Sequence, residues 1–289
     1  MRISDKGTYD RHRAGLTELR SRLVESQERA SSGRRVLRPS DDPVAHGLAL
    51  RERSRESRAE DHARTLDRGR ARLDAADGAL GDVADMLRRV QELTVQASTD
   101  TVGADERRHV AAEIRELRAS ILSVANSESE GRRLFAGHLD EAPPFDATGA
   151  YVGGTTPPVL EVAPGRQVPV GLAGDVIFSG PTDVFGRLDA LATALEANDE
   201  VGIRAGLEDM RSSHAQVVSA RGVLGASSDA VEAAGSVVER MQTRAVEAQD
   251  DLVGVDVAEA YLELERARSA YAAAIQIASQ LPGPSLVDR

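Results

Sequence analysis

Residues 66–97 read LDRGRARLDAADGALGDVADMLRRVQELTVQA. Apolar or small residues recur through this stretch at alternating steps of three and four, and only Gly69 is passed over. The recurring positions are Leu66, Leu73, Ala76, Leu80, Val83, Leu87, Val90, Thr94 and Ala97. This spacing predicts a helix whose seam is buried against another helix.

Helical spacing of the same kind occurs in three further stretches. A first helix is expected over roughly residues 8–31, and a third helix follows the breaker at residues 99–103. In the C-terminal half the repeating positions are Leu207, Met210, His214, Val217, Val231, Val238, Ala245 and Leu252. The third helix carries Val110, Ile114, Leu117, Ile121 and Val124. We therefore predict a mainly α fold, an elongated antiparallel helical bundle or coiled coil formed by both chain ends.

Composition agrees with long helices and excludes several chemistries. Of the 289 residues, 41% are apolar and 29% charged, whereas only 3% are aromatic. This balance suits a seam between helices better than a broad globular core. The chain has no cysteine, which excludes disulfides, Cys-ligated zinc and thiol catalysis.

A proline- and glycine-rich segment interrupts the helices between Gly137 and Thr182. Short β-type runs lie at residues 159–162, 167–170 and 176–178, and Gly153-Gly154 and Pro164-Gly165 are predicted turns. We predict three domains. A terminal helical domain for assembly comprises residues 1–40 with 251–289, a long helical bundle comprises 41–136 with 183–250, and a small β-rich insertion comprises 137–182.

Helix boundaries are marked by caps. Gly33 is expected to end the first helix, and Pro282-Gly283-Pro284 the last. Ser40-Asp41-Asp42-Pro43 opens the second helix, with Asp42 as the N-cap and Pro43 at the first helical position. The adjacent carboxylates could also be drawn as a metal or acid–base pair, but their place at a helix start favours capping.

No enzyme site is visible in the sequence. The six histidines are scattered, and no phosphate-binding glycine motif or nucleophile–base constellation occurs. We therefore expect no catalytic residue, no cofactor and no metal. His214 is expected to be a polar residue of the helical seam.

Charge is unevenly distributed. Residues 1–72 hold eighteen Lys/Arg and twelve Asp/Glu, although the chain carries a net charge of −11. Between Arg51 and Arg72 acidic residues interleave the arginines and no Phe, Tyr or Trp occurs, so we expect an acidic protein partner or solvent there and no nucleic acid. No apolar run is long enough to cross a membrane, and residues 1–7 do not resemble a secretory signal, so we expect neither membrane insertion nor a cleaved leader.

A family resemblance rests on motifs in order. The motifs are Ser32-Gly33-Arg34-Arg35-Val36, Pro39 to Ala45, Gly131-Arg132-Arg133-Leu134-Phe135-Ala136-Gly137, Pro143-Pro144-Phe145, Tyr151-Val152-Gly153-Gly154, Gly174 to Phe178, Arg221 to Ala226 and Ser285-Leu286. Together they resemble the flagellin-like family of bacterial flagella, and within it the hook-associated protein 3 group of hook–filament junction proteins. The resemblance covers essentially the whole chain.

The resemblance implies a structural adaptor that joins the flagellar hook to the flagellin filament. It implies a ring of further copies of this chain, contacts with hook-associated protein 1 and with flagellin, and export through the flagellar channel with a dedicated chaperone. A flagellin-type filament subunit is the alternative, and an unrelated coiled-coil scaffold is a third.

Candidate sites follow from the motifs and the helical stripes. Besides the cap, we expect a hinge into the β insertion at Gly131, Leu134, Phe135 and Gly137. The insertion motif comprises Pro143, Pro144, Phe145, Tyr151, Gly153 and Gly154. A thinner stripe at the chain ends is expected to form an assembly seam between subunits, through Leu16, Leu19, Leu23, Tyr261, Leu264, Tyr271 and Ile275.

Overall fold

The computed structural model describes residues 2–99, 102–139, 141–163 and 165–280. The long helices are α1 (Arg2–Ser32), α2 (Pro43–Ala97), α3 (Ala104–Ala125), α6 (Glu200–Val253) and α7 (Val257–Gln280). The shorter elements are β1 (Glu128–Ser129), β2 (Arg132–Arg133), β3 (Val159–Ala163), β4 (Arg166–Pro169), α4 (Gly174–Phe178) and α5 (Val184–Glu196). The predicted mainly α fold with a small β-rich part is confirmed. The predicted helix stop at Pro282-Gly283-Pro284 lies outside the described residues.

The chain divides into two compact units. One, here the terminal unit, is drawn from Met1–Ala59 and Arg240–Arg289, and the other, the central unit, is Glu60–Glu239. Both dividing points fall inside long helices, α2 and α6. The three domains expected from the sequence, with limits at residues 40, 136, 182 and 250, remain a prediction.

The heptad positions of α2 form the core of the central unit. All nine predicted positions from Leu66 to Ala97 are buried. Between residues 203 and 238 of α6 the large buried side chains fall at intervals of seven, at Ile203, Met210, Val217, Leu224, Val231 and Val238. His214 and Leu207 are only half-buried, because the intervening layers are filled by the smaller Ser213 and Gly206.

Polar contacts fix the antiparallel arrangement of the central helices. Arg89 of α2 pairs with Glu113 of α3 at 2.9 Å, and Arg107 donates from Nε to the Ala97 carbonyl at 3.0 Å. Arg221 of α6 makes two hydrogen bonds of 2.8 Å to the Asp77 carboxylate of α2. The third helix, α3, therefore returns antiparallel along α2.

Two small antiparallel sheets interrupt the helices. In the β1–β2 hairpin Glu128 is paired with Arg133, and the turn residues Glu130 and Gly131 have φ of 53° and 76°. In the β3–β4 hairpin Val159 is paired with Pro169 and Leu160 with Val168. The non-helical part thus begins just after α3.

The predicted β-type run at residues 176–178 is wrong, because these residues belong to α4. Ile177 and Phe178 are both fully buried, whereas Val176 is exposed. In a strand, neighbouring side chains point to opposite faces, so one of the two would have been left outside. A helical turn lets both enter the same core.

Candidate functional site

The segment from Gly33 to Asp42, here the junction segment, connects α1 to α2 within the terminal unit. It pairs with the connection between α6 and α7 through an antiparallel bridge of Arg34 with Gly254. The Arg35 N–H donates to the Val253 carbonyl at 2.7 Å, and the Val255 N–H donates to the Gly33 carbonyl at 3.0 Å. The two helix-to-helix connections are therefore joined to each other.

A small apolar cluster lies under this joint. Val36, Ala45, Ala49 and Val253 are buried together, with Leu252 packed against them. Burial of such side chains stabilises the joint in proportion to the apolar area removed from water. The cluster anchors the start of α2 to the end of α6.

Asp42 is the N-cap of α2, as predicted. Its Oδ1 accepts a hydrogen bond from the Ala45 N–H at 2.9 Å, and this bond lowers the pKa of the carboxyl. Arg35 lies 3.5 Å from the second carboxylate oxygen and acts in the same direction.

The neighbouring carboxylate has a different role. Asp41 Oδ2 accepts from the Arg38 and Leu37 N–H groups at 2.9 and 3.0 Å, which holds the pKa of Asp41 low. The two acids therefore point to different partners and share none. Ser40 lies close to Asp41, at 3.4 Å from Oγ to Oδ1. The geometry at Asp42 is that of an N-cap, and Pro43 begins the helix.

The terminal helices α1 and α7 contact each other. Leu16, Leu19 and Leu23 of α1 are only half-buried in this pair. Of the predicted seam residues on α7, Leu264 is buried and Tyr271 half-buried, but Tyr261 and Ile275 remain 58% and 47% exposed. The covered face of α7 instead runs through Ala260, Leu264, Ala267, Tyr271, Ala274 and Ala278. The predicted seam residues of α7 thus lie partly on the face that α1 covers and partly on an exposed face.

The hinge and insertion motifs come together in the central unit around the phenylalanines. All four phenylalanines of the chain and Tyr151 form one cluster. Phe145 lies at its centre, with ring centroids 5.2 Å from Tyr151, 5.2 Å from Phe178 and 5.5 Å from Phe185. Phe135 packs edge-on against Phe178 at 5.9 Å. A low aromatic content therefore still supplies one compact aromatic core.

Backbone contacts join the same two motifs. The Gly154 N–H donates to the Ala136 carbonyl at 2.9 Å, and the Val152 N–H donates to the Pro144 carbonyl at 2.8 Å. Gly137 has φ of 63°, and a Cβ there would lie 2.1 Å from the Gly154 carbonyl oxygen. Only glycine fits that position. Leu134 is buried beside Phe135, whereas Pro143, which precedes the motif's buried part, is exposed.

Tyr151 ties the cluster to this backbone. Its hydroxyl lies 2.6 Å from the Gly154 carbonyl oxygen and 3.1 Å from that of Phe135. Burial raises the pKa of Tyr151 to about 12, and the nearby Asp175 adds to the effect. The tyrosine therefore stays protonated and serves as a hydrogen-bond donor to the motif.

Three polar anchors of the central unit escaped the sequence analysis. Asn126 exchanges two 3.0 Å hydrogen bonds with the backbone of Phe145. Gln216 bonds to the carbonyls of Ile177 and Thr182 at 2.8 and 3.0 Å. Arg107 is 2% exposed and also donates to Asn198 Oδ1 at 2.6 Å. Single polar residues on helices carry no periodic signal, so only the fold reveals them.

Among the described residues, no group of three or more His, Cys, Asp or Glu side chains is arranged to hold a metal ion. None of the helices described is both long enough and apolar enough to cross a membrane. The main features of the described residues are the capped junction segment, the loosely packed pair of α1 and α7, and the aromatic core.

Comparison with known proteins finds similarity to flagellar proteins. Residues 3–140 match the model of the bacterial flagellin N-terminal helical region. The flagellar hook-associated protein 3 of Escherichia coli (strain K12) is 29% identical over 284 residues, covering 89% of this chain and 89% of its own. The Salmonella typhimurium (strain LT2) protein of the same name is 31% identical over 184 residues, 63% of this chain and 58% of its own.

A solved structure shows the same fold. The flagellar hook-associated protein from Vibrio parahaemolyticus superposes with a TM-score of 0.68 at 21% identity. The superposition covers 74% of this chain and 100% of that one. Flagellins match over a smaller part of the chain than the Escherichia coli relative does. Along most of its length the chain is thus similar to flagellar hook-associated proteins.

Proposed function

We propose that this chain is a structural adaptor of the bacterial flagellum, located between the hook and the flagellin filament. The observation that carries the proposal is the match to a flagellar hook-associated protein 3 along 89% of both chains. Its relatives are named for flagellar parts, and the adaptor role is structural rather than catalytic. The protein would reach its place outside the cell through the flagellar export channel.

The terminal helices supply the assembly surface in this proposal. Val257, Tyr261 and Leu262 of α7 are each more than half exposed, although they are large apolar residues. An isolated pair of thinly packed helices is marginally stable in water, so burial against other subunits would stabilise it. The predicted seam residues Leu16, Leu19 and Leu23, which are half-buried, would be covered more fully there.

We propose four partners for these surfaces. Copies of this chain would form a ring, hook-associated protein 1 would contact it on the hook side, and flagellin on the filament side. An export chaperone would cover the exposed apolar residues before secretion. Neither nucleic acid nor insertion into a membrane forms part of the proposal.

A filament subunit of the flagellin type is the alternative, favoured by the match of residues 3–140 to the flagellin helical region. Copy number separates the two functions. Quantitative mass spectrometry of intact flagella, sheared to remove most of the filament, should enrich an adaptor with the hook fraction. A chain that dominates the sheared filament mass would be a filament subunit instead.

A further inference from the structure

One face of α2 carries a second heptad stripe that remains exposed in the described part of the terminal unit. Its residues are Val44, Leu48, Arg51, Arg55 and Arg58, at steps of four, three, four and three. All five are exposed, and Val44 reaches 72%. The inward stripe, one residue further along, begins with the buried Ala45 and Ala49. A helix with two such stripes is suited to contact helices on two sides.

The outward stripe is basic because its acidic neighbours face inward. Glu52 and Glu56 are half-buried on the inward side, and Glu52 binds Arg55 at 2.6 Å. Arg51 and Arg58 form no ion pair with any residue in the described part of the chain. The stripe therefore presents two apolar residues followed by three arginines, of which only Arg55 is paired with a described acidic residue.

A surface of opposite charge lies on the same unit. Between Ala245 and Glu265 the sequence has seven Asp/Glu and no Lys/Arg, and all seven acidic residues are exposed. Glu247, Asp250 and Asp251 form no ion pair with the described residues. These acidic residues lie just before Val253 of α6, which packs against Ala49 of α2. Arg51 follows Ala49 by two residues on α2. The basic and acidic surfaces thus lie at the same level of the terminal unit.

We propose that the stripe from Val44 to Arg58 binds the acidic end of α6, around Glu247 and Asp251, in a second copy of this chain. The inference rests on the proposed function, which places copies side by side in a ring. A contact between two different surfaces repeats around a closed ring, so every subunit uses both of them. Opposite charge guides such surfaces together and disfavours contact between like surfaces.

Charge reversal in the living flagellum tests the proposal. A strain that lacks the gene receives Arg51→Glu with Arg58→Glu, and filaments are counted while flagellin is measured in the medium. We expect filament loss and released flagellin close to the level of the deletion strain. Adding Glu247→Arg and Asp251→Arg to the same chain should restore filaments, because every contact then regains opposite charges.

A matched control uses the same helix. Arg53 is exposed and lies about 200° around α2 from Arg51, so the single variant Arg53→Glu should behave like wild type while Arg51→Glu does not. Far-UV circular dichroism and the amount of secreted chain verify folding and export, and the milder Arg51→Gln with Arg58→Gln should give partial loss. Normal filaments with the double reversal, or no rescue by the acidic changes, would overturn the inference. Normal filaments in the deletion strain itself would instead reject the adaptor function.

Discussion

The Cδ2 of Leu160 lies 2.6 Å from the point that a Cβ on Gly69 would occupy. Gly69 is the position passed over in the heptad pattern of α2, and it is buried. The β3–β4 hairpin therefore fills the seam at this level from outside the helix. Gly69, where the heptad pattern lacks an apolar side chain, is therefore the position at which the β3–β4 hairpin packs against α2.

Replacing Gly69 should therefore disturb the hairpin. Gly69→Leu, which restores the heptad pattern, should destabilise the central unit by about 1–3 kcal/mol through overpacking. Gly78 lies in the same helix with nothing within 4 Å of its Cβ position, so Gly78→Leu is the matched control and should not destabilise. Urea unfolding measures both. Equal effects at the two glycines would contradict the docking account.

The same contact allows a coupling test. Leu160→Ala removes the side chain that a larger residue at position 69 would meet. The double variant should therefore lose less stability than the sum of the two single variants, because neighbouring residues do not act additively. Strict additivity in the unfolding free energies would show that Leu160 does not occupy this position.

The heptad residues show what the sequence could predict. A repeat such as Leu73, Leu80 and Leu87 indicates a helix with one buried face, and both α2 and its buried face were correctly predicted. The Asp42 cap could also be predicted, because its signal is local in the sequence. The helical conformation of residues 176–178 could not, because it places Ile177 and Phe178 in a core formed by residues far away in the sequence.

The assembly seam between subunits stays a prediction. Tyr261 and Ile275 lie outside the edge of α7 that α1 covers. Ala260 and Ala267, which lie on the covered face, are too small to stand out in a hydrophobic pattern. Close packing through alanines is therefore visible only when both helices are placed.

The N-cap at Asp42 predicts that two substitutions at this position differ in their effect. Asp42→Ala should free the Ala45 N–H and speed its hydrogen exchange, whereas Asp42→Asn should preserve most of the protection because asparagine also caps. Amide exchange read by NMR at Ala45 distinguishes them. A role as metal ligand or acid–base group predicts that the asparagine variant is as damaged as the alanine variant.

Tyr151 predicts a loss of stability at alkaline pH. Burial raises its folded-state pKa from 10.0 to about 12, so the protonated hydroxyl stabilises the fold fully below pH 10. That contribution is lost as the pH rises through this window. Tyr151→Phe should lower the free energy of unfolding by roughly 1–3 kcal/mol at neutral pH, because the carbonyl of the buried Gly154 loses its hydrogen bond. It should also flatten the pH dependence between 10 and 12. Urea unfolding of both proteins at several pH values tests this, and parallel curves would contradict it.

The terminal helices should exchange amide hydrogens faster than the central core in the monomer. Residues 10–32 include no fully buried side chain, whereas Leu80, Val83 and Leu87 of α2 are at 0% exposure. Few buried contacts mean a low free energy for local opening. Mass-spectrometric hydrogen exchange on dilute protein should show this order. Equal protection of α1 and of residues 66–97 would mean that the α1–α7 pair needs no neighbouring subunit.

The most direct test of the adaptor function is the amount of flagellin that cells release when this gene is deleted. If the chain joins the filament to the hook, deletion should leave hooks in place, remove filaments and send flagellin monomers into the medium. Restoring the wild-type gene should return flagellin to filaments of normal length. Full-length filaments on cells that lack the gene, with no rise in free flagellin, would contradict the account.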